Sequence, residues 1–463
     1  MQSSSSLIEP RPEGEKCGIS DLPNEVLCEI FFYICSTYNC AFSRCSDHLS
    51  ITLVCRRWRE NSERSLFRAI KFSIYGPREV EQSRRLLSII ESRPNIATYL
   101  QDIQIFPEYL QEDMIPNLVP VLQRCVQLRC VGLSLKLSDA AAALIQATKS
   151  LPLLERLILS ISNPGNPTLP VVLELMTSLP SLRRLKLLNC DACEPYDRQE
   201  LLSRRARPST ISQKRLESLL PPSRYRTGNL SSLEIKRIEI PPYVMEHLLR
   251  WPTALVKISL RGFHGTVGYT NDELRRLLSM HQDSLRCIQL QINRTLDFTS
   301  FPNLEELRIS WYIMRREAPS NTIENLPLAN LRFLRLDVLE HDLAFTKDDV
   351  KWMDQFASAL GTRYPHSTLK RVGIRFLFKF IMSRDCLPYD RQLDVWPCEY
   401  AEEASQCMNR HGIKLEYEPF WTRDEWDEFI GNKWCECEPG PCELGWATWE
   451  GSKGLSDVRG EIS

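Results

Sequence analysis

From about residue 96 onward the apolar positions recur in one phrase: an aliphatic residue, two variable residues, an aliphatic, one variable residue, an aliphatic. Ten copies are legible. They are Leu100/Ile103/Ile105, Leu128/Val131/Leu133, Leu154/Leu157/Leu159, Leu182/Leu185/Leu187 and Leu230/Leu233/Ile235, followed by Leu255/Ile258/Leu260, Leu285/Ile288/Leu290, Leu304/Leu307/Ile309, Leu331/Leu334/Leu336 and Leu369/Val372/Ile374. The alternation inside each copy is the period of a β-strand with one buried face. Between copies the apolar spacing changes to that of helices, over Asp139–Ser150, Val244–Trp251, Asn271–Gln282 and Val350–Leu360.

Successive first members lie 28, 26, 28, 48, 25, 30, 19, 27 and 38 residues apart. Most of these steps sit near the 20–29 residues of a leucine-rich repeat. Strand plus helix, stacked unit on unit, predicts an α/β chain in which residues 96–380 form a curved solenoid, each unit burying its neighbour's apolar edge. The long step holds an insertion at 191–229, rich in Arg, Ser and Pro, that reads as a surface loop. Residues 376–420 are less regular, and residues 381–463 read as an irregular C-terminal cap and tail. Five tryptophans beyond Phe420 (Trp421, Trp426, Trp434, Trp446, Trp449) suit the closure of a solenoid end.

The N-terminal part follows another pattern. Residues 1–18 are polar and serine-rich and predict disorder. Ser20 or Asp21 can cap a helix with Pro23 in its first turn. Val26, Leu27, Ile30, Phe31 and Ile34 then recur at helical spacing. Further helical runs cover Leu49–Trp58 and a short piece to Leu66 and Phe67.

The segments LPNEVLCEIFFYI at 22–34 and LVCRRWR at 53–59 resemble the F-box family over residues 19–70, and with the repeats the chain resembles fungal F-box proteins carrying degenerate leucine-rich repeats. The resemblance implies a three-helix module that packs on the Skp-type adaptor of cullin-RING ubiquitin ligases. It implies that Leu22, Pro23, Val26, Leu27, Ile30, Val54, Cys55 and Trp58 form or support that contact. The link at 36–50, with Cys40 and Cys45, is longer than the family's usual connection. Aromatic residues such as Phe31, Phe32 and Trp58 are suitable anchors for an interface.

Charge and composition narrow the function. The chain has 463 residues, 43% apolar and 25% charged, with net charge −1. Binding through nucleic-acid phosphates calls for a basic excess that is absent globally, and no stretch approaches a membrane span, so neither nucleic acid nor membrane is expected as a partner. Seventeen cysteines behind a polar N-terminus with no apolar signal segment predict reduced thiols in an intracellular protein, of cytoplasm or nucleus. No catalytic motif and no cofactor motif stands out, which predicts a binding protein and not an enzyme. Cys435, Cys437 and Cys442 could take part in a metal site only with a distant fourth ligand such as Cys407 or His411, and packed thiols are the expectation.

One local charge asymmetry remains. If the aliphatic triplets point inward, the residues at offsets two, four and six face the concave side. Those positions hold ten basic residues, Arg156, Arg184, Lys186, Lys236, Lys257, Arg261, Arg308, Arg335, Arg371 and Arg375, against four acidic ones, Asp102, Glu234, Glu306 and Asp337. A net of +6 on this face suits an acidic or phosphorylated protein substrate, with solvated strand charge as the ordinary alternative. Three roles compete at this stage: substrate adaptor of a ligase, stand-alone repeat scaffold, and regulator of a GTPase-like enzyme.

Overall fold

The computed structural model describes residues 22–36, 51, 53–72, 77–105, 115–135, 139–161, 168–188, 212–236, 240–261, 269–291, 296–339, 345–377, 398–418 and 423–424. The N-terminal run, most of the 191–229 insertion, Cys40, Cys45, the five tail tryptophans and Cys435, Cys437 and Cys442 lie outside these residues.

Helix α1 (Asn24–Ser36) begins just after Pro23, which therefore stands at the helix entrance and not in its first turn, its carbonyl taking the first helical bond from Leu27 N–H at 3.1 Å. Helix α2 (Arg56–Leu66) is capped by the Cys55 thiol, which accepts from Trp58 N–H at 3.4 Å. The chain then enters strand β1 (Ala69–Phe72), helix α3 (Pro77–Ser92) and strand β2 (Asp102–Ile105). From there strand and helix alternate: α4 (Ile115–Arg124), β3 (Cys130–Leu135), α5 (Asp139–Lys149), β4 (Arg156–Ile161), α6 (Thr168–Ser178), β5 (Arg184–Leu188), α7 (Gln213–Leu219), β6 (Ser232–Lys236), α8 (Pro242–Arg250), β7 (Lys257–Arg261) and α9 (Asn271–Ser279). Strands β8 (Cys287–Leu290) and β9 (Glu306–Ser310) follow, joined by a short 19-residue step with no helix among its described residues. The described elements continue with α10 (Trp311–Met314), α11 (Pro319–Glu324), β10 (Phe333–Leu339), α12 (Lys347–Arg363), β11 (Arg371–Leu377), α13 (Glu399–Arg410) and β12 (Lys414–Glu418).

The twelve strands among the described residues form one parallel sheet in the order of the sequence, β1 to β12. The ten aliphatic triplets lie at the start of and along β2 to β11, and every member is buried. Consecutive helices α4 to α9 pack side by side as a layer. The core lies between that layer and the aliphatic face of the sheet, with Leu118, Val121 and Leu122 of α4 and Val244, Leu248 and Leu249 of α8 among its members. The other face of the sheet carries the polar row of side chains.

Two further strands extend the sheet beyond the ten that the pattern predicts. The stretch at 376–420, expected to be irregular, contains α13 and β12, and β12 pairs with β11 in the register Arg371↔Lys414. At the other end β1 pairs with β2 as Ala69↔Asp102.

Adjacent units are stitched at the turn before several of the strands. The residue preceding the leading leucine reaches back one unit: Ser181 Oγ donates to Pro152 O (2.8 Å), Asn229 Nδ2 to Pro180 O (2.9 Å), Asn303 Nδ2 to Asp283 O (2.8 Å) and Asn330 Nδ2 to Pro302 O (2.5 Å). These side chains satisfy turn carbonyls that the parallel ladder leaves open.

Gly228 shows how tightly one turn is packed. It bridges Pro252, and a Cβ placed on it would stand 2.5 Å from Trp251 Cε2. Gly228→Ala should therefore lower stability by about 1–3 kcal/mol, measured as a fall in the urea midpoint. An unchanged midpoint would mean that Trp251 can move aside.

Candidate functional site

The first candidate surface is on the N-terminal helices. Leu27 and Phe31 of α1 are fully buried, and the Phe31 ring lies 5.3 Å from that of Trp58 in α2. Polar side chains lock the pair. Asn61 Nδ2 donates to Asn24 Oδ1 (3.2 Å) and to Arg57 O (2.9 Å), Arg57 Nε donates to Asn24 Oδ1 (2.8 Å), and Ser65 Oγ donates to Cys28 O (2.8 Å). Arg57 also donates to the Leu22 carbonyl, which ties the residues before α1 to α2.

Several apolar side chains of this module are left in solvent. Val26 is 42% exposed and Val54 59%. Tyr33 and Leu53 are also exposed, and Ile30 partly so. Val26, Ile30 and Tyr33 fall on one stripe of α1, at helical spacing. Of the residues expected at the adaptor contact, Pro23, Val26, Val54 and Cys55 are exposed, while Leu22, Ile30 and Trp58 are half-buried. Leu27 takes a supporting place: at 0% exposure it fixes α1 on α2 and presents nothing outward.

The module is joined firmly to the sheet. Arg68, just before β1, pairs with Glu29 of α1 (2.6 Å) and donates from Nε to Gln101 Oε1 ahead of β2 (3.0 Å). Arg93 pairs with Glu63 of α2 at 2.7 Å.

The second candidate surface is the polar face of the sheet. The parallel register sets Arg156 of β4 beside Arg184 of β5, and both are exposed. Lys186 does not join them. It lies near Glu234 of β6 at 3.8 Å, and Glu234 also faces Lys236 (3.6 Å) and Arg261 of β7 (4.0 Å). Burial works against the Glu234 charge, but Lys186, Lys236 and Arg261 outweigh it and hold its carboxyl below the usual range. Lys257 is exposed on β7. Arg335 and Arg371 both lie 5.0 Å from the centre of the Phe333 ring.

Arg308 departs most from expectation. It is 5% exposed, and its Nε donates to both oxygens of the fully buried Asp337 at 2.7 and 2.8 Å. Its charge is therefore not a free surface cation. Ser259, Gln289 and Ser310 on neighbouring strands are buried too, so the simple alternation of inward apolar and outward exposed residues fails over β7 to β10.

Lys236 carries a measurable signature of this crowding. Burial, together with the nearby charges of Lys186 and Arg261, lowers its pKa to about 8, against an ordinary 10.5, although Glu234 pulls the other way. Above about pH 8 the unfolded chain holds a proton that the folded chain releases, so this group makes stability rise with pH toward 10.5. Lys236→Met should remove that rise, seen by comparing urea midpoints at about pH 7.5 and 9.5. If variant and parent shift equally between those pH values, the charge crowding at Lys236 is absent.

The two described residues offered as metal ligands are engaged elsewhere. Cys407 is buried and accepts from Arg410 Nη2 at 2.8 Å, and His411 Nε2 lies 3.4 Å from Asp354. Among the described residues no helix is long and apolar enough to cross a membrane. Burial pushes the thiols of Cys125, Cys130 and Cys398 up to about 12, so these cysteines are packing residues and poor nucleophiles.

Comparison with known proteins agrees with the N-terminal geometry. The F-box-like family model matches residues 19–73, so the chain carries an F-box-like domain there. Domains of this family generally bind Skp-type adaptors. No curated protein matches the chain. A crystal structure of a protein from Bacteroides fragilis is similar at 14% identity, over 76% of this chain and 74% of that one, with a TM-score of 0.33. That score is too low to define a shared fold.

Proposed function

We propose that the protein is a substrate-recognition adaptor of a cullin-RING ubiquitin ligase. The F-box-like domain engages a Skp-type adaptor and through it a cullin. The sheet and its helices act as a leucine-rich-repeat-like solenoid whose polar face holds a protein substrate. In this reading the chain binds and positions; it performs no chemistry itself, and it works inside the cell, in cytoplasm or nucleus.

The observation that carries the reading is the F-box-like match at 19–73 together with the apolar side chains that module leaves in solvent, Val26, Tyr33, Leu53 and Val54. A small helical module gains by covering such residues with a partner. Arg68, which links α1 to the residue ahead of β2, and Arg93, which links α2 to the end of α3, support the division of labour, since they tie the module to the start of the repeats.

The test is co-elution of the full chain with a purified Skp-type adaptor in size-exclusion chromatography. A stable one-to-one complex is expected. A chain that folds but never co-elutes would instead be a stand-alone repeat scaffold.

A further inference from the structure

Three buried side-chain atoms lie together on the polar face of β8 and β9 without a hydrogen-bond partner: Gln289 Nε2 in β8, and Arg308 Nη2 and Ser310 Oγ in β9. Their residues are 3%, 5% and 1% exposed. Gln289 and Arg308 are register partners on adjacent strands, and Ser310 is two residues beyond Arg308, on the same face.

The rest of each long side chain is already fixed. Gln289 Oε1 accepts from Arg261 Nη2 (2.6 Å) and from Ser259 Oγ (3.1 Å). Those two donors settle the amide orientation, because a flipped amide would set N–H against N–H. Arg308 is held through Nε by both oxygens of Asp337. What remains is an amide N–H, a guanidinium N–H and a hydroxyl. All three can donate, and the missing group is an acceptor.

Leaving a buried donor unmatched costs about 1–3 kcal/mol, and more when it is charged. Charge decides which acceptor suits the place. Lys186, Lys236, Arg261, Arg308, Arg335 and Arg375 stand on this part of the face against Glu234, Glu306 and Asp337, six positive groups to three negative. Arg261 is held below the usual guanidinium range, by burial first and then by the charge of Arg308. A trapped water would fill the hydrogen bonds but leave the cation excess. An oxyanion answers both.

We propose that Gln289, Arg308 and Ser310 form an oxyanion subsite, with Arg261 as its charged rim. It receives a carboxylate or phosphate group of the captured protein. This rests on the substrate-adaptor reading only for what delivers the oxyanion; the subsite itself is tested without adaptor or substrate.

The full chain is titrated with sodium phosphate and, separately, sodium acetate, with ionic strength held constant by sodium chloride. Binding is read by calorimetry and by the thermal midpoint. Saturable binding of at least one anion is expected. Phosphate well ahead of acetate marks a phosphorylated group as the natural occupant, and comparable binding marks an acidic side chain.

Gln289→Glu keeps the shape and the acceptor for Arg261 and Ser259, but sets a carboxylate beside Arg308. It should weaken anion binding about tenfold to a hundredfold and raise the midpoint of the anion-free protein. Arg308→Lys keeps a charge opposite Asp337 and removes the second guanidinium arm, and should weaken binding about tenfold. The proposal is overturned if neither anion does more than chloride, or if both variants bind as the parent does; a trapped water would then occupy the place. Co-elution of Gln289→Glu with the Skp-type adaptor should be unchanged, so failure of the subsite and failure of the adaptor reading give different results.

Discussion

Replacing Val26 and Val54 together by Glu should weaken capture of a Skp-type adaptor by at least about a hundredfold and leave the thermal midpoint of the protein in place. Both side chains are already in solvent, at 42% and 59% exposure, so neither substitution opens the interior. Fully covering one apolar side chain contributes about 1.5–3 kcal/mol, and the exposed parts of Val26 and Val54 together amount to about one such side chain, close to the ~2.7 kcal/mol that a hundredfold change in affinity represents. The introduced carboxylates add a desolvation penalty at the contact. Leu27→Ala makes the informative contrast. It removes a fully buried residue between α1 and α2, so it should lower stability and disturb binding only through the fold. Co-elution of the double variant at parent strength would remove Val26 and Val54 from the interface, and the assignment of this face with them.

Arg308→Ala should be the most destabilising single change on the polar face, by about 3–5 kcal/mol in urea unfolding. Asp337 is fully buried, and the two bonds from Arg308 Nε are what its carboxylate gains for leaving water. Truncating Arg308 leaves that buried charge unmatched. Arg156→Ala on β4 is the control. Its side chain is exposed, and the loss should stay within about 0.5 kcal/mol. A replacement of both partners, Arg308→Met with Asp337→Leu, should recover most of the stability, because the penalty lies in the broken pair and not in the absence of charge. If Arg308→Ala and Arg156→Ala lose stability equally, the Arg308–Asp337 pair is solvated and its burial is not the controlling term.

The aliphatic triplets made ten strands legible in advance, and the two that escaped show why. Strand β1 has the same spacing as the others, but its inward residues are Phe67, Ile70 and Phe72, so a search for aliphatics passes over it. In β12 the leading position is Gly412, at φ 75°, with Leu415 and Tyr417 after it. A criterion of apolar in place of aliphatic would have found the first; the second needs the helix Glu399–Arg410 beside it. The stitching Ser181, Asn229, Asn303 and Asn330 was also legible in principle, as a small polar residue before the leading leucine.

The charge arrangement was not legible to the same degree. Counting cations on one face treats each as solvated, whereas Lys186, Lys236 and Arg261 share Glu234, and Arg308 shares Asp337. Apart from Lys236, which shares β6 with Glu234, those partners lie one unit away along the chain and come together only through the register of parallel strands. The same register buries Gln289 and Ser310, which alternation alone places in solvent. In the N-terminal module, family resemblance marked a set of positions. Which of them face outward required the packing of Leu27 and Phe31 against α2.

A sheet whose strands follow one another in sequence order is also a ruler. Helix α2 runs directly into β1, and Arg68 clamps that junction to α1 and to the start of β2. Eight strand steps separate β1 from β9 in the sheet, roughly 38 Å at about 4.8 Å per step. A group seated at Arg308 is thus carried at a set reach from the F-box-like domain. Gaining or losing one strand–helix unit between them would shift that reach by a single graduation, with the chemistry at either end untouched, so lineages could tune the span of such a protein by counting units without redrawing either contact.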